Sequence, residues 1–186
     1  QITENPIKIA MVGKYVTLAD SYVSVNEALK HASASINSSV SIDWIDSETL
    51  NGNIKKLTNY KGILVPGGFG TRGSEGIIET SSFALEQNIP FLGICFGFQL
   101  AAVSFGRSVC KLEEANSTEI SVDTKHPIIG LLPEQEGVSN MGGSLRLGAN
   151  EINVNKNSLA HKIYNSEIIY KRHRHRYEFN TKYREQ

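Results

Sequence analysis

Apolar and polar positions along the first 106 residues predict strands and helices in turn. Ile7 to Val12 is a nearly continuous apolar run closed by Gly13, as expected of a strand buried on both faces of a parallel sheet. Tyr22, Val25, Ala28, Leu29, Ala32 and Ile36 then recur at three- and four-residue spacing. That spacing predicts a helix with one buried stripe, capped at its start by Asp20 or Ser21. Ser41 to Ile45 alternates as a second strand and Gly62 to Val65 reads as a third. A helix over Ile77 to Gln87, a strand over Pro90 to Ile94 and a helix over Phe98 to Phe105 follow. This alternation predicts the α/β class: a doubly wound, mostly parallel sheet with right-handed crossovers and helices on both faces. From Lys111 onward the pattern loosens. Leu145 to Leu147 and Glu151 to Val154, separated by Gly148-Ala149-Asn150, predict a β-hairpin appended to the sheet.

Composition bounds what such a sheet can do. A chain of 186 residues with 40% hydrophobic content can bury one full core, but a second catalytic domain does not fit. Lysine plus arginine equals aspartate plus glutamate at 19 each, so no bulk field attracts nucleic acid or an acidic membrane surface. Any anion site must be local. No apolar run approaches the roughly 20 residues of a membrane helix. The two cysteines, Cys95 and Cys110, form neither a Cys-x-x-Cys pair nor a cluster with histidine. They argue against a disulfide framework and a metal site, and for a reducing, cytoplasmic setting. Positions 1–6 read as the remnant of a linker.

Candidate chemistry sits at the carboxyl ends of strands, where ligands bind in such sheets. In Gly93-Ile94-Cys95-Phe96-Gly97-Phe98-Gln99, a cysteine falls where a strand turns into a helix, the arrangement of a nucleophile elbow. Two flanking glycines allow a tight reversal, and the first free amides of the helix would point at the sulfur and favour its thiolate. Pro66-Gly67-Gly68-Phe69-Gly70 ends the preceding strand. Gly68-x-Gly70-x-x-Gly73 matches a dinucleotide fingerprint formally, but the acidic residue expected about 20 positions on is absent. An oxyanion loop, with backbone amides approaching a developing negative charge, fits better. Gly13-Lys14 lacks the glycine spacing and the following Ser or Thr of a phosphate loop. In Lys171-Arg172-His173-Arg174-His175-Arg176-Tyr177, a strand would place the arginines on one face and the histidines with Tyr177 on the other. Such a face is either solvated or offers a guanidinium to a carboxylate. Glu119 has nothing local to distinguish it from a surface carboxylate.

Taken together, the loop Pro66-Gly67-Gly68-Phe69-Gly70 and the elbow Gly93-Ile94-Cys95-x-Gly97-x-Gln99 resemble the class I glutamine amidotransferase family, whose fold is of the flavodoxin-like kind. Four further segments resemble the branch of that family that serves CTP formation: Asp20-Ser21-Tyr22-x-Ser24-Val25-x-Glu27-Ala28-Leu29, Glu114 to Glu119, Met141-Gly142-Gly143-x-x-Arg146-Leu147-Gly148, and Arg172 to Glu178. They span almost the whole chain in order.

The resemblance implies that positions 7–186 form a glutamine amidotransferase domain, and that Cys95 forms a γ-glutamyl thioester and releases ammonia. The amides of Gly68 and Phe96 would hold the oxyanion, and Gln99, Glu119 and Arg176 the amino acid end of glutamine. It implies no metal or cofactor in this domain. ATP and magnesium, used to activate UTP, and GTP as an effector, would belong to an N-terminal synthetase domain of the same polypeptide, in a homo-oligomeric, tetrameric enzyme. The family's general base is a histidine in a His-Pro-Glu motif downstream of the Arg/His-rich strand, expected here past Gln186. His126-Pro127 is followed by Ile128 and precedes that strand, so it is not that motif. The alternatives are a catalytically inactive regulatory domain of the same fold, and a different cysteine hydrolase of similar architecture, against which the Glu119 and Arg176 segments speak.

Overall fold

A computed structural model describes residues 5–16, 19–50, 52–131 and 146–186. The chain divides into two compact units, one of Gln1–Gly130 with Phe179–Gln186 and one of Leu131–Glu178. In the first, β1 (Ile7–Gly13), β2 (Val40–Asp46), β3 (Gly62–Val65) and β4 (Phe91–Gly93) form a parallel sheet of order β2-β1-β3-β4. Ile9 pairs with Ile42 on one side and Gly62 on the other, and Ile63 pairs with Phe91. Ala10, Met11, Val12 and Val65 are fully buried, which matches strands covered on both faces. Helices α1 (Val23–Ser35), α2 (Ser74–Glu86) and α3 (Phe96–Ser108) alternate with the strands.

The path from β1 through α1 to β2 moves one way across the sheet, and that from β3 through α2 to β4 moves the other way. Right-handed crossovers therefore put α1 and α2 on opposite faces. The winding reverses between β1 and β3, so the crevice for a ligand opens at the carboxyl ends of these strands. Lys14 and Pro66 follow those ends directly. Further along, β5 (Ala115–Ser117) pairs in parallel with β6 (His126–Leu131).

The stripe expected on α1 is narrower than its spacing implied. Tyr22 joins Met11 and Leu64 in a buried cluster, with Val25, Leu29 and Trp44 packed against it. Ala28, Ala32 and Ile36 face solvent. The larger side chains Tyr22, Val25 and Leu29 set the orientation, because two alanines carry little apolar area to compete with them. The expected Asp20 or Ser21 cap is also corrected: a 3-10 turn over Ala19–Tyr22 leads into α1, and Tyr22 takes the N-cap position with no side-chain cap bond. Helix α2 begins a turn earlier than its apolar pattern implied. Gly73, at φ 66°, starts it, and a β-carbon on Gly76 would collide with the Ser47 backbone.

In the second unit, β7 (Arg146–Asn153) pairs antiparallel with β8 (Ile168–His175), with α4 (Leu159–Tyr164) between them in sequence. The expected hairpin is corrected here. Leu147 and Glu151 lie on one continuous strand, whose partner is β8. Gly148, at φ 90°, bends within the ladder opposite His173 instead of reversing the chain. The partner strand supplies hydrogen bonds along the whole length, so the local turn signal is overridden. Met141-Gly142-Gly143 and Leu145 lie outside the described residues. Strand β9 (Tyr177–Phe179) follows, and Asn180 bonds back to Ile128 and Pro127 through its N–H and Nδ2. Among the described residues, no helix is long and apolar enough to cross a membrane.

Candidate active site

The turn from β4 into α3 is built by two glycines and one cysteine. The parallel ladder continues one step past β4, with the Ile94 N–H donating to the Val65 carbonyl at 2.9 Å. The chain then reverses at Cys95, the N-cap of α3, at φ 54° and ψ −107°. A non-glycine residue in such a conformation costs on the order of 1–3 kcal/mol and persists only where its surroundings hold it. Here the Gly97 N–H bonds the Ile94 carbonyl at 3.0 Å and the Gln99 N–H bonds the Cys95 carbonyl at 3.1 Å. A β-carbon on Gly93 would stand 2.6 Å from both the Gly97 carbonyl carbon and the Phe98 nitrogen, and one on Gly97 would overlap the Val65 carbonyl oxygen. Both positions require glycine because backbone meets backbone. A strained, half-buried cysteine between two obligatory glycines is the geometry of a nucleophile elbow.

The electrostatics correct one expectation. Burial pushes the Cys95 thiol up, the adjacent Phe96 backbone amide pulls it down, and the Glu119 charge pushes it up again. Desolvation is the largest of the three, so burial opposes the thiolate that the helix amides were expected to favour. A base must take its proton before it can attack.

The loop after β3 lies alongside. A β-carbon on Gly67 would sit 3.6 Å from the Cys95 Cβ and 4.0 Å from its Sγ; one on Gly68 would sit 3.6 Å from the Phe96 ring. The loop thus passes with its two glycines against the elbow, and Phe96 itself is buried. Gly70, at φ 77°, occupies the left-handed region open to glycine. Gly73 is glycine for packing, since a β-carbon there would collide with Ser47 Oγ. That role accounts for the third glycine of the formal dinucleotide match.

Glu119 follows β5, and its Oε1 accepts the Gly70 N–H at 2.7 Å. The structure therefore brings Glu119 to the glycine loop, a placement that 49 residues of separation hide in the sequence. Gln99 is buried in the second turn of α3. Arg176 belongs to the second unit, half-buried after β8, with its guanidinium carbon 5.8 Å from the Tyr177 ring centroid. Within β8, Arg172 and Arg174 are exposed, while the rings of His173 and His175 meet edge to face at 5.5 Å, so the two residue types take opposite faces as the alternation implied. His126 stands edge-on to Tyr183 at 6.2 Å.

Sequence reasoning weighed Lys14 only as a phosphate-loop lysine and did not single out Arg72. Lys14 Nζ donates to the Phe69 carbonyl at 2.9 Å and to the Gly70 carbonyl. Arg72 donates to the Lys14 carbonyl and to Glu48 Oε2, each at 2.7 Å. The available signal was a lysine placed directly after a doubly buried strand, at the sheet's ligand-binding end. Among the described residues, no group of three or more histidine, cysteine, aspartate or glutamate side chains gathers as a metal site would require.

Comparison with known proteins bears on the family and the fold. The family model for glutamine amidotransferase class-I matches residues 17–186. The CTP synthase of Halalkalibacterium halodurans is 56% identical over 182 residues, covering 97% of this chain and 34% of that protein. That of Archaeoglobus fulgidus is 53% identical over 176 residues, covering 94% and 33%. The solved glutaminase domain of Trypanosoma brucei CTPS with bound acivicin superposes with a TM-score of 0.88 at 36% identity, covering 96% of this chain and 70% of that one.

The chain therefore belongs to the class I glutamine amidotransferases. Within that family it is a glutaminase domain of the kind found in CTP synthases, and it spans about a third of the length of the curated relatives it matches.

Proposed function

We propose that this domain hydrolyses glutamine through Cys95 and supplies the ammonia to a synthetase domain of the same polypeptide. In that reading a base takes the thiol proton, and the sulfur bonds the carboxamide carbon of glutamine. The carbonyl π pair moves onto oxygen, where the Gly68 and Phe96 amides stabilise it. Collapse expels the nitrogen, which leaves as ammonia after gaining a proton, and a γ-glutamyl thioester remains. Water then attacks the thioester, releasing glutamate and restoring the thiol.

Gln99, Glu119 and Arg176 hold the amino acid end of the substrate, whose ammonium calls for a carboxylate and whose carboxylate calls for a guanidinium or amides. The synthetase domain binds ATP, magnesium and UTP and forms CTP, with GTP as effector, in a tetrameric, cytoplasmic enzyme of pyrimidine nucleotide synthesis. No residue of this chain is assigned to those sites. The base is the family's histidine from a His-Pro-Glu motif, and neither His126 nor the β8 histidines take its place.

One observation carries the reading: a strained cysteine at a strand-to-helix turn, with a glycine-rich loop alongside. Incubation with a glutamine-like electrophile followed by peptide mass mapping tests it. Label on Cys95 supports the proposal; label on Cys110, or none on Cys95, counts against it.

A further inference from the structure

Lys14 follows β1 directly and is 5% exposed. A buried ammonium must find acceptors, and this one finds them all on one loop. Its Nζ donates to the carbonyls of Phe69 and Gly70 and lies 4.1 Å from the Phe96 ring centroid. The peptide joining Phe69 to Gly70 is held at both ends, its oxygen by Lys14 and its N–H by Glu119. Because a peptide unit is planar and rigid, fixing both ends fixes its orientation. Gly68 is the residue just before it, and the lysine stem runs beneath the same place, with Cδ 3.9 Å from where a Gly68 β-carbon would be. The backbone of Lys14 is itself tied, its carbonyl accepting from Arg72, which also pairs with Glu48.

Left alone, a loop with glycine at positions 67, 68 and 70 would sample many conformations, since glycine has the widest backbone freedom. Phe69, at 69% exposed, contributes no buried anchor. The clamp therefore has to come from polar groups.

We infer that Lys14 is a positioning residue for the glutaminase reaction: its ammonium grips the loop carbonyls and keeps the Gly68 N–H aimed at the oxyanion of the substrate. The inference rests on the proposed hydrolysis at Cys95. It adds a residue that acts through the loop rather than on the reacting atoms.

Two electrophiles separate this role from a structural one. A glutamine chloroketone is attacked at its carbonyl, so an oxyanion forms and is stabilised before chloride leaves and sulfur is alkylated. Iodoacetamide alkylates the same sulfur by direct displacement of iodide, with no oxyanion. Rates at Cys95 are measured with both reagents for the full chain and for Lys14→Met and Lys14→Gln, with mass mapping to exclude Cys110 and thermal unfolding to establish folding.

Lys14→Met is expected to slow the chloroketone about 10- to 100-fold, less than the roughly 100- to 1,000-fold loss on deleting an oxyanion donor because the N–H is misaimed rather than removed. Iodoacetamide should change by less than about threefold, since thiol access is untouched. Lys14→Gln, which still carries an N–H donor, should fall between. Equal slowing with both reagents, or no slowing with the chloroketone, overturns the inference. If the Met variant does not fold, the Gln variant decides on the same ratio. Failure of the unaltered chain to react with the chloroketone at Cys95 overturns the glutaminase reading itself, and appears before any variant is compared.

Discussion

Gly97 packs its α-carbon against the Val65 carbonyl so closely that a β-carbon would overlap the oxygen. This contact lets α3 descend onto the end of β3 and brings the cysteine two residues earlier beside the Gly67-Gly68 loop. Gly97→Ala must therefore displace backbone rather than a side chain. A cost of about 1–3 kcal/mol is expected from overpacking, measured as a lower midpoint in urea unfolding. Cys95 should also lose selective reaction with the glutamine-like electrophile, since the elbow shifts with the helix.

Cys95 holds a backbone conformation that glycine adopts freely and alanine does not. Cys95→Gly and Cys95→Ala should both abolish ammonia release. Their stabilities should differ in the opposite sense to ordinary helix propensity, with the glycine variant more stable by about 1 kcal/mol because strain is relieved. Equal stabilities by urea unfolding would show that the turn is not strained.

Burial holds the Cys95 thiol above the ordinary cysteine value. Its alkylation by iodoacetamide should therefore rise with pH through a midpoint above about 8.5, the unperturbed value. In the linkage, a folded-state pKa above the unfolded one contributes stability that is complete below the unfolded value and lost as pH rises through the folded value. A midpoint below the unperturbed value would mean that the helix amides outweigh desolvation.

Lys14 shifts the other way, lowered to about 8 chiefly by desolvation, with the Glu119 charge opposing. The folded chain therefore binds this proton less tightly than the unfolded chain. Its contribution to stability is complete above the unfolded value and is lost as pH falls through about 8. Urea midpoints measured between pH 7 and 10 should show a rising component in the native chain that disappears in Lys14→Met.

Glu119→Ala removes both the acceptor of the Gly70 N–H and the proposed partner of the substrate ammonium. Hydrogen bonds to charged groups are worth about 1.5–3 kcal/mol, so the KM for glutamine should rise roughly 10- to 100-fold. Steady-state ammonia release checks this. An unchanged KM would confine Glu119 to loop support.

Several elements were plain in the sequence because their determinants are local. Apolar runs mark β1, β3 and β4; β1 and β3 read this way because parallel strands covered on both faces need little polar alternation, whereas Leu92 of β4 is exposed. The elbow was legible in part for the same reason: Gly93 meets the Gly97 backbone within five residues, although the contact that requires glycine at 97 is with the distant Val65. For Lys171–Tyr177 the alternation told only which residues a strand would place on each face; the strand that forms is β8, Ile168–His175.

What the sequence could not contain is set by groups far apart along the chain. Nothing near Glu119 distinguishes it, and only the arrival of β5 beside the glycine loop gives its carboxylate the Gly70 amide. The Gly148 turn signal proved weaker than the ladder offered by β8, because hydrogen bonding along a whole strand outweighs a local preference. The Cys95 thiol shows the same division. The helix amide that favours its anion was readable from sequence, while the desolvation that outweighs it depends on the surrounding fold. Local spacing thus marked the turn and its nucleophile, whereas tertiary packing decided the burial of the sulfur and the clamp on the loop beside it. Both depend on distance through space, which sequence separation does not record.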